Sequence, residues 1–546
     1  MTENTPKQRV LEVSGLAIRA GARTLVQDVT LSLAQGEILC LVGESGSGKS
    51  LTASAVMGLL PGNLGVGAGS IRLDGEDLTA ASPARMQALR GDRMAMVFQE
   101  PMTSLNPLMR VGRQIAEVLQ VHRPDLGAGQ VRARVLELMG DVHLPTPEAL
   151  MDAFPHQLSG GQRQRIMIAM ALALALEPAL IIADEPTTAL DVTTQVQVLK
   201  LFRQLLAKHS SAVLFITHDF DVVRDIADHV AVMQLGRIVE QGPAGQVLDA
   251  PRHDYTRKLL AAVPSGVPKT QQNASSDELL SVSGLNLVYE SRGLLGPARR
   301  THAVADVGFT LKKGETLGVV GESGSGKSTL GRCITRAHAP TSGRIVFDGV
   351  DIAGLSGKAL RAVRRRVQMV FQDPYRSLNP RRRILHALIE GPIESGVDRK
   401  TACARAAELM ALVGLPADGL QRYPHQFSGG QRQRICIARA LAMEPDLIVA
   451  DEAVSALDVS VQAQVLELFE DLQKRLGFAM IFITHDLRVA AQVCDRIGVM
   501  QKGRLLELGP VRQVIHAPQH PYPRHLFDSL PGRVGQTAEP AMELQA

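Results

Sequence analysis

The sequence predicts an α/β fold written twice, and three observations carry that prediction. The octapeptide G-E-S-G-S-G-K-S stands at Gly43–Ser50 and again at Gly321–Ser328. Each copy follows a short apolar run, Glu37–Val42 and Thr316–Val320, of the kind a buried parallel strand presents. Later motifs return in the same order, so the repeating period is a whole domain rather than a solenoid unit.

The repeat is close. Pro155-H-Q-L-S-G-G-Q-R-Q-R-Ile166 returns as Pro424-H-Q-F-S-G-G-Q-R-Q-R-Ile435, with a single change. Phe98-Gln99-Glu100-Pro101 returns as Phe371-Gln372-Asp373-Pro374, each followed by Ser-Leu-Asn-Pro at Ser104–Pro107 and Ser377–Pro380. Asp184-Glu185 matches Asp451-Glu452, and Ile216-Thr217-His218-Asp219 matches Ile483-Thr484-His485-Asp486. A chain of 546 residues exceeds the ~250–300 residues that one core sustains. The division expected is a first domain over 1–264, a linker over 265–278, a second domain over 279–531 and a flexible tail over 532–546. The linker expectation rests on Pro264-S-G-V-P-K-T-Q-Q-N-A-S-S-Asp277, poor in large apolar residues.

Composition narrows the classes. Hydrophobic residues make up 45% and charged residues 21% of the chain, a globular balance with material for two cores. A net charge of +4 is too small to argue for nucleic acid. The Arg364–Arg366 and Arg381–Arg383 runs read either as solvated faces or as contacts with a partner or anionic lipid. Cys40, Cys333, Cys403, Cys436 and Cys494 never reach C-x-x-C spacing, so neither a zinc site nor an iron–sulfur cluster is expected. The longest apolar run, Ile166–Leu176, falls short of the ~20 residues of a spanning helix. It reads as a buried helix, followed by a buried strand at Ala179–Ala183.

Each copy then reads as strand, glycine loop and helix at its front. The stretches Val111–Asp152 and Ile384–Gly419, rich in helix formers such as Gln114–Leu119 and Val131–Met139, predict helical inserts. Val213–Thr217 and Ala479–Thr484 predict further strands, each ending at a histidine. Ligands of open α/β sheets sit where such strand ends gather.

That layout assigns roles to the chemistry-bearing residues. In Gly43, Glu44, Ser45, Gly46, Ser47, Gly48, Lys49 and Ser50, and in Gly321, Glu322, Ser323, Gly324, Ser325, Gly326, Lys327, Ser328 and Thr329, the glycines let backbone amides curve around a phosphate. Lys49 and Lys327 add charge, the following helix aims its N-terminus at the anion, and Ser50 and Ser328 are placed to ligate Mg²⁺. The apolar runs Leu180–Ala183 and Leu447–Ala450 end in Asp-Glu. Asp184 and Asp451 are expected to hold Mg²⁺ through water, and Glu185 and Glu452 to act as general bases on an attacking water. His218 and His485 recur at one spacing from those glutamates and are expected to hold the γ-phosphate and the water in line. Gln99 and Gln372 are expected to reach Mg²⁺ and that water. Ser159, Gly161 and Gln162, with Ser428, Gly430 and Gln431, open helices and form a second anion site. One domain has no use for two such sites on one triphosphate, unless each segment caps the nucleotide held by the other copy.

Glycine loop, glutamine loop, Ser-Gly-Gly-Gln, Asp-Glu strand and histidine, in that order and twice between about Leu11 and Leu530, resemble the ABC ATPases. The resemblance implies two P-loop ABC-type nucleotide-binding domains, each a RecA-like α/β core with an antiparallel β subdomain and a helical insert. It implies a head-to-tail pair with two ATPs in the seam, Lys49 opposite Ser428, Lys327 opposite Ser159, and Asp191 and Asp458 touching the other copy. Ala250-P-R-H-D-Y-T-R-K-L-Leu260 and Ala517-P-Q-H-P-Y-P-R-H-L-Phe527 resemble the C-terminal element of oligopeptide, dipeptide and nickel importer ATPases, as do Glu185–Thr193 and Ser455–Ser460. The activity implied is that of an ATP- and Mg²⁺-dependent ATPase energising a bacterial importer, peptides being the first choice of cargo. The partners implied are two integral membrane permease subunits and, through them, a periplasmic or lipid-anchored binding protein. The place implied is the cytoplasmic face of the inner membrane. Glutathione, nickel and opine-like cargo stay open, as does a soluble tandem ATPase acting on ribosomes or DNA. Against the latter stand a short Pro/Ser-rich linker and the lack of zinc cysteines.

Three departures from the family pattern stand out. The cysteines that hold an iron–sulfur cluster in some relatives are missing. The aromatic that stacks on adenine is offered by Tyr289 in the second copy, while the first has Ala20. Ala453 stands where the first copy has Pro186.

Overall fold

The five residues Ile38–Val42 are all buried, and their side chains divide between two cores. Ile38, Cys40 and Val42 face one core; Leu39 and Leu41 face the other. That alternation is what a strand covered on both sides requires, and it organises the whole domain. The computed structural model describes residues 8–98, 104–174, 178–187, 192–209, 211–268, 276–291, 299–455 and 457–528. The chain divides into two compact units, one running to Val263 and the next starting at Pro264.

In the first unit the strands are β1 (Arg9–Ala20), β2 (Arg23–Ala34), β3 (Ile38–Val42), β4 (Gly65–Leu73), β5 (Glu76–Asp77), β6 (Met94–Val97), β7 (Leu180–Asp184), β8 (Ala212–Thr217), β9 (His229–Gln234) and β10 (Arg237–Pro243). They form an outer sheet in the order β2-β1-β4-β5 and an inner sheet in the order β10-β9-β3-β8-β7-β6. The outer sheet is antiparallel throughout. In the inner sheet β9, β3, β8, β7 and β6 are parallel and β10 returns antiparallel along the edge. One core lies between the two sheets and takes in the helix Lys49–Val56. The other lies under the helices Val111–His122, Ala128–Asp141, Gly160–Leu174 and Val192–His209. The predicted helical insert of the first copy is therefore present as Val111–His122, Ala128–Asp141 and the short Pro147–Leu150.

The second unit repeats the plan with β11 (Glu278–Ser291), β12 (Arg299–Lys312), β13 (Thr316–Val320), β14 (Ser342–Phe347), β15 (Val350–Asp351), β16 (Val367–Val370), β17 (Leu447–Asp451), β18 (Ala479–Thr484), β19 (Arg496–Gln501) and β20 (Arg504–Pro510). The sheet orders are β12-β11-β14-β15 and β16-β17-β18-β13-β19-β20. Its insert holds the helices Ile384–Glu394 and Arg399–Leu412 and a 3₁₀ turn at Ala417–Gln421.

Parallel register sets the site. Val42 lies beside Thr217 and Asp184 beside Ile216. In the second unit Val320 lies beside Thr484 and Asp451 beside Ile483. The glycine loop, the Asp-Glu pair and the histidine therefore leave the sheet at one edge, side by side. Among the described residues no helix is long and apolar enough to cross a membrane. The predicted tail over 532–546 and part of the predicted linker lie outside the described residues.

Candidate nucleotide site

Each glycine loop is bent by a close backbone approach. Gly43 and Gly321 both sit at φ 149°, and a Cβ built there would stand 2.2 Å from the carbonyl oxygen of Met233 or Met500. No side chain fits such a gap, so glycine is obligatory for steric reasons. Gly48 and Gly326 precede the helices Lys49–Val56 and Lys327–Ile334 in the left-handed region. That conformation turns successive amides inward, toward the place an anion takes at a helix N-terminus. Thr329 lies in the first turn of the second of these helices.

Lys49 is buried, and its Nζ donates to the carbonyls of Gly43 at 2.7 Å and Glu44 at 2.9 Å. Lys327 donates to Gly321 at 2.7 Å and Glu322 at 2.8 Å. The Ser47 and Ser325 hydroxyls are buried and, among the described residues, have no hydrogen-bond partner. A buried hydroxyl without a partner is costly unless a ligand satisfies it, which fits a loop built around phosphate oxygens.

At the next strand end, Ser50 Oγ donates to Asp184 Oδ1 at 3.1 Å, and Ser328 Oγ to Asp451 Oδ1 at 2.7 Å. Burial pushes the Asp184 carboxyl up to about 6, against the Ser50 hydrogen bond and Lys49 and with the help of the Glu185 charge. Asp451 is raised for the same first reason. A hydroxyl and a destabilised buried carboxylate are hard oxygen donors that suit Mg²⁺. A cation there would relieve the penalty that burial imposes.

Glu185 and Glu452 adopt φ of 47° and 46°, the left-handed region, which costs a non-glycine residue about 1–3 kcal/mol. The kink is held by the next strand, since each glutamate N–H donates at 2.9 Å to the carbonyl of Ile216 or Ile483. It brings Glu185 Oε1 to 3.4 Å from His218 Nδ1, and Glu452 Oε2 to 3.6 Å from His485 Nδ1. Gln372 Nε2 donates to Glu452 Oε2 at 2.7 Å. Burial is the largest influence on Glu452 and pushes it up. His485, Lys327 and Ser455 together outweigh it and leave the carboxyl below the ordinary glutamate value. His485 is the mirror case: burial pushes its imidazole down, and Glu452 with Asp486 outweigh that and raise it. The glutamate is therefore ionised and held in place, the state a general base needs. Gln99 and Asp191 lie outside the described residues.

The Ser-Gly-Gly-Gln segments also have a structural role at the start of their helices. Ser159 Oγ accepts from the Gln162 amide at 3.2 Å while Gln162 Oε1 accepts from the Ser159 amide at 2.9 Å. Ser428 and Gln431 pair the same way, at 3.3 and 3.0 Å. These are capping boxes that open the long helices. Gly161 and Gly430 allow close packing: a Cβ would lie 2.7 Å from Thr194 Cγ2 or 2.3 Å from Val461 Cγ1. Asp458 stands at the N-cap of the helix Val459–Leu476.

Tyr289 is on β11, paired with Thr301 of β12. Two residues further along that strand, the Ala303 carbonyl closes on Gly326 of the glycine loop, 2.2 Å from where a Cβ would stand. Tyr289 is 42% exposed and meets His338 edge to face at 6.1 Å. In the first unit Ala20 holds the matching position, paired with Arg23. Residues that sequence reading did not single out include Ser455, whose Oγ donates to the Glu452 carbonyl at 2.8 Å. Asp219 and Asp486, noted only as neighbours of the histidines, cap the helices Phe220–Ile226 and Leu487–Val493 and so fix the exit of each histidine strand.

The sequence profile of the ABC transporter family matches residues 26–188 and 304–455, together more than half of the chain. A second profile, the C-terminal region of oligopeptide/dipeptide transporters, matches residues 239–282 and 506–542. The glutathione import ATP-binding protein GsiA of Pectobacterium atrosepticum is 46% identical, covering 96% of this chain and 90% of that protein. The protein of the same name from Salmonella typhimurium is also 46% identical, with 96% and 89% covered. Among solved structures, the dimeric ATP-binding cassette MJ0796 bound to ADP and Pi is 28% identical, covering 43% of this chain and 99% of that one at a TM-score of 0.39.

The buried Asp184 generates a pH prediction. Its folded value of about 6 lies above the ordinary 3.8, so the cost is absent below that ordinary value and complete above about 6. Asp184→Asn is expected to raise the unfolding free energy of the metal-free, nucleotide-free chain at pH 7.5 by about 1–3 kcal/mol. At pH 4 the gain should nearly vanish. Urea titrations at the two pH values measure both, and an equal gain at each would exclude charge burial as the cause.

Proposed function

The chain belongs to the ABC transporter family, in its oligopeptide/dipeptide class, and from that premise we propose that it is the tandem ATPase of an importer of glutathione or similarly small peptides. The observation that carries the ATPase reading is the convergence, in both copies, of a bent glycine loop, a Ser–Asp pair and a Glu–His pair on one sheet edge. The class of cargo rests on the doubled C-terminal element and on likeness over 96% of the chain to proteins named for glutathione import. No observation favours the ribosome- or DNA-directed alternative.

In this reading the loop amides and the helix N-terminus hold the phosphates of ATP, and Lys49 and Lys327 exchange backbone carbonyls for phosphate oxygens. Ser50 with Asp184, and Ser328 with Asp451, would hold Mg²⁺, which neutralises charge on the β- and γ-phosphates. Glu185 and Glu452 accept a proton from the attacking water. His218 and His485 fix those carboxylates, and Gln372, bonded to Glu452, reports the state of the site toward the helical insert. As the two cassettes close on ATP, the capping boxes of Ser159 with Gln162 and of Ser428 with Gln431 hold each helix start in shape, and the amides of Gly161 and Gly430 are the ones offered to the phosphates. That closure is the stroke passed to two permease subunits, with a binding protein delivering cargo from outside. Peripheral attachment at the cytoplasmic face of a bacterial inner membrane accords with the lack of a spanning helix among the described residues.

Three outcomes test the proposal. Coexpressed with its permease genes, the chain is expected to copurify with two integral membrane proteins and, in proteoliposomes, to drive ATP-dependent uptake of labelled glutathione or di- and tripeptides. Sedimentation with ribosomes and no uptake would overturn the reading. The double variant Glu185→Gln, Glu452→Gln is expected to bind ATP normally and release phosphate about 10²- to 10⁴-fold more slowly; near-normal phosphate release would remove the base role. Base–aromatic stacking is worth on the order of 1–3 kcal/mol in nucleic-acid complexes. Ala20→Tyr should therefore tighten ATP binding at the first site about tenfold, and Tyr289→Ala should weaken the second by a similar factor, as read by nucleotide titration.

A further inference from the structure

The C-terminal element of the first unit reaches back to the phosphate loop. Its base is Glu240 on β10, whose carboxylate accepts from the amides of Arg252 at 2.7 Å and His253 at 3.0 Å. His253 Nδ1 then accepts from the Tyr255 amide at 3.1 Å, capping the helix Asp254–Ala261. Tyr255 is thereby fixed in position, 8% exposed, within the core that also holds Val247 and Leu259. Its hydroxyl accepts the N–H of Glu44 at 3.2 Å, across 211 positions of sequence.

The Glu44 N–H and the Gly43 carbonyl belong to one peptide group. Lys49 Nζ grips that carbonyl at 2.7 Å, so the peptide is held at its oxygen by Lys49 and at its nitrogen by Tyr255. The two holds differ in permanence. A lysine that turns to bind phosphate releases the carbonyl, while the tyrosine, anchored in the core, keeps the nitrogen end. The tyrosine's hold on the nitrogen end does not depend on the lysine, so that end of the peptide stays fixed when the lysine leaves. We propose that Tyr255 is a positioning residue for the first ATP site, holding the Gly43–Glu44 peptide so that the C-terminal element sets the nucleotide affinity of that site.

This rests on the phosphate loop binding ATP, and the experiment separates the two claims. In the full-length chain carrying Lys327→Ala, so that nucleotide reports on the first site, a fluorescent N-methylanthraniloyl ATP is titrated with and without Tyr255→Phe. One neutral hydrogen bond corresponds to about a two- to tenfold rise in Kd. That rise is expected with Tm unchanged and with faster amide exchange in the loop peptide that contains Glu44. A merely structural tyrosine would lower Tm and leave Kd unmoved, which overturns the proposal. In the unsubstituted chain the Glu44 amide should resist exchange with and without ATP; rapid exchange in the nucleotide-free chain also overturns it, whether or not the variant folds. If the Lys327→Ala chain with Tyr255 intact binds no nucleotide, the phosphate-loop reading fails and the proposal falls with it.

Discussion

One steric fact governs the site: the α-carbon of Gly43 lies against the carbonyl of Met233, and Gly321 lies against Met500 in the same way. The contact is backbone to backbone, between the strand that enters the loop and the end of its parallel neighbour. It leaves the loop no course except to curl over the sheet edge, which turns its amides inward and brings Lys49 or Lys327 back onto the loop's own carbonyls. The helix N-terminus follows the curl directly and adds its own amides beside that lysine. A phosphate group is the common ligand with enough acceptor oxygens and charge to satisfy all of them at once.

The acidic half of the site is assembled at an energetic cost met by the surrounding sheet. Asp184 is buried beside a second carboxylate, and Glu185 and Glu452 occupy backbone conformations that non-glycine residues avoid. Neither feature serves the stability of the empty fold. The strand neighbours Ile216 and Ile483 hold the kink by hydrogen bonding, and the histidines hold the side chains. Left-handed residues also recur in matching turns of both copies, as at Asp28 and Asp306, so what sets Glu185 and Glu452 apart is that their kink carries a carboxylate to a histidine at the sheet edge.

Much of this was legible in the sequence because its signals are local. The parallel strands announce themselves as unbroken apolar runs, and Thr316–Val320 and Ala479–Thr484 begin and end where the pattern placed them. In the first unit the strand expected at Ala179–Ala183 formed as Leu180–Asp184, one residue later, since Asp184 still pairs with Ile216. The outer antiparallel sheet was reached only through family resemblance: its strands alternate imperfectly, with register shifts between Val13 and Leu16 and between Leu16 and Ile18. Contacts between distant segments had no local signal at all. The bond from Glu44 to Tyr255 depends on how β10 turns into the last helix, which no short pattern encodes.

On the proposed roles the two copies are the same in the groups assigned to hydrolysis, and they differ at the position assigned to the nucleotide's other end. Ser–Asp, Glu–His and the lysine grip recur with distances that differ by no more than a few tenths of an ångström. The position that family resemblance assigns to the adenine is alanine in one copy and tyrosine in the other. In that reading groups of the first kind act on the transition state, whereas a stacking ring contributes to ground and transition states alike. A ring of that sort changes the concentration of ATP at which a site fills, and leaves the rate of the filled site alone. On the proposed roles, divergence between the copies is divergence in loading. A tandem engine built this way can fill its sites in order while keeping one chemistry in both.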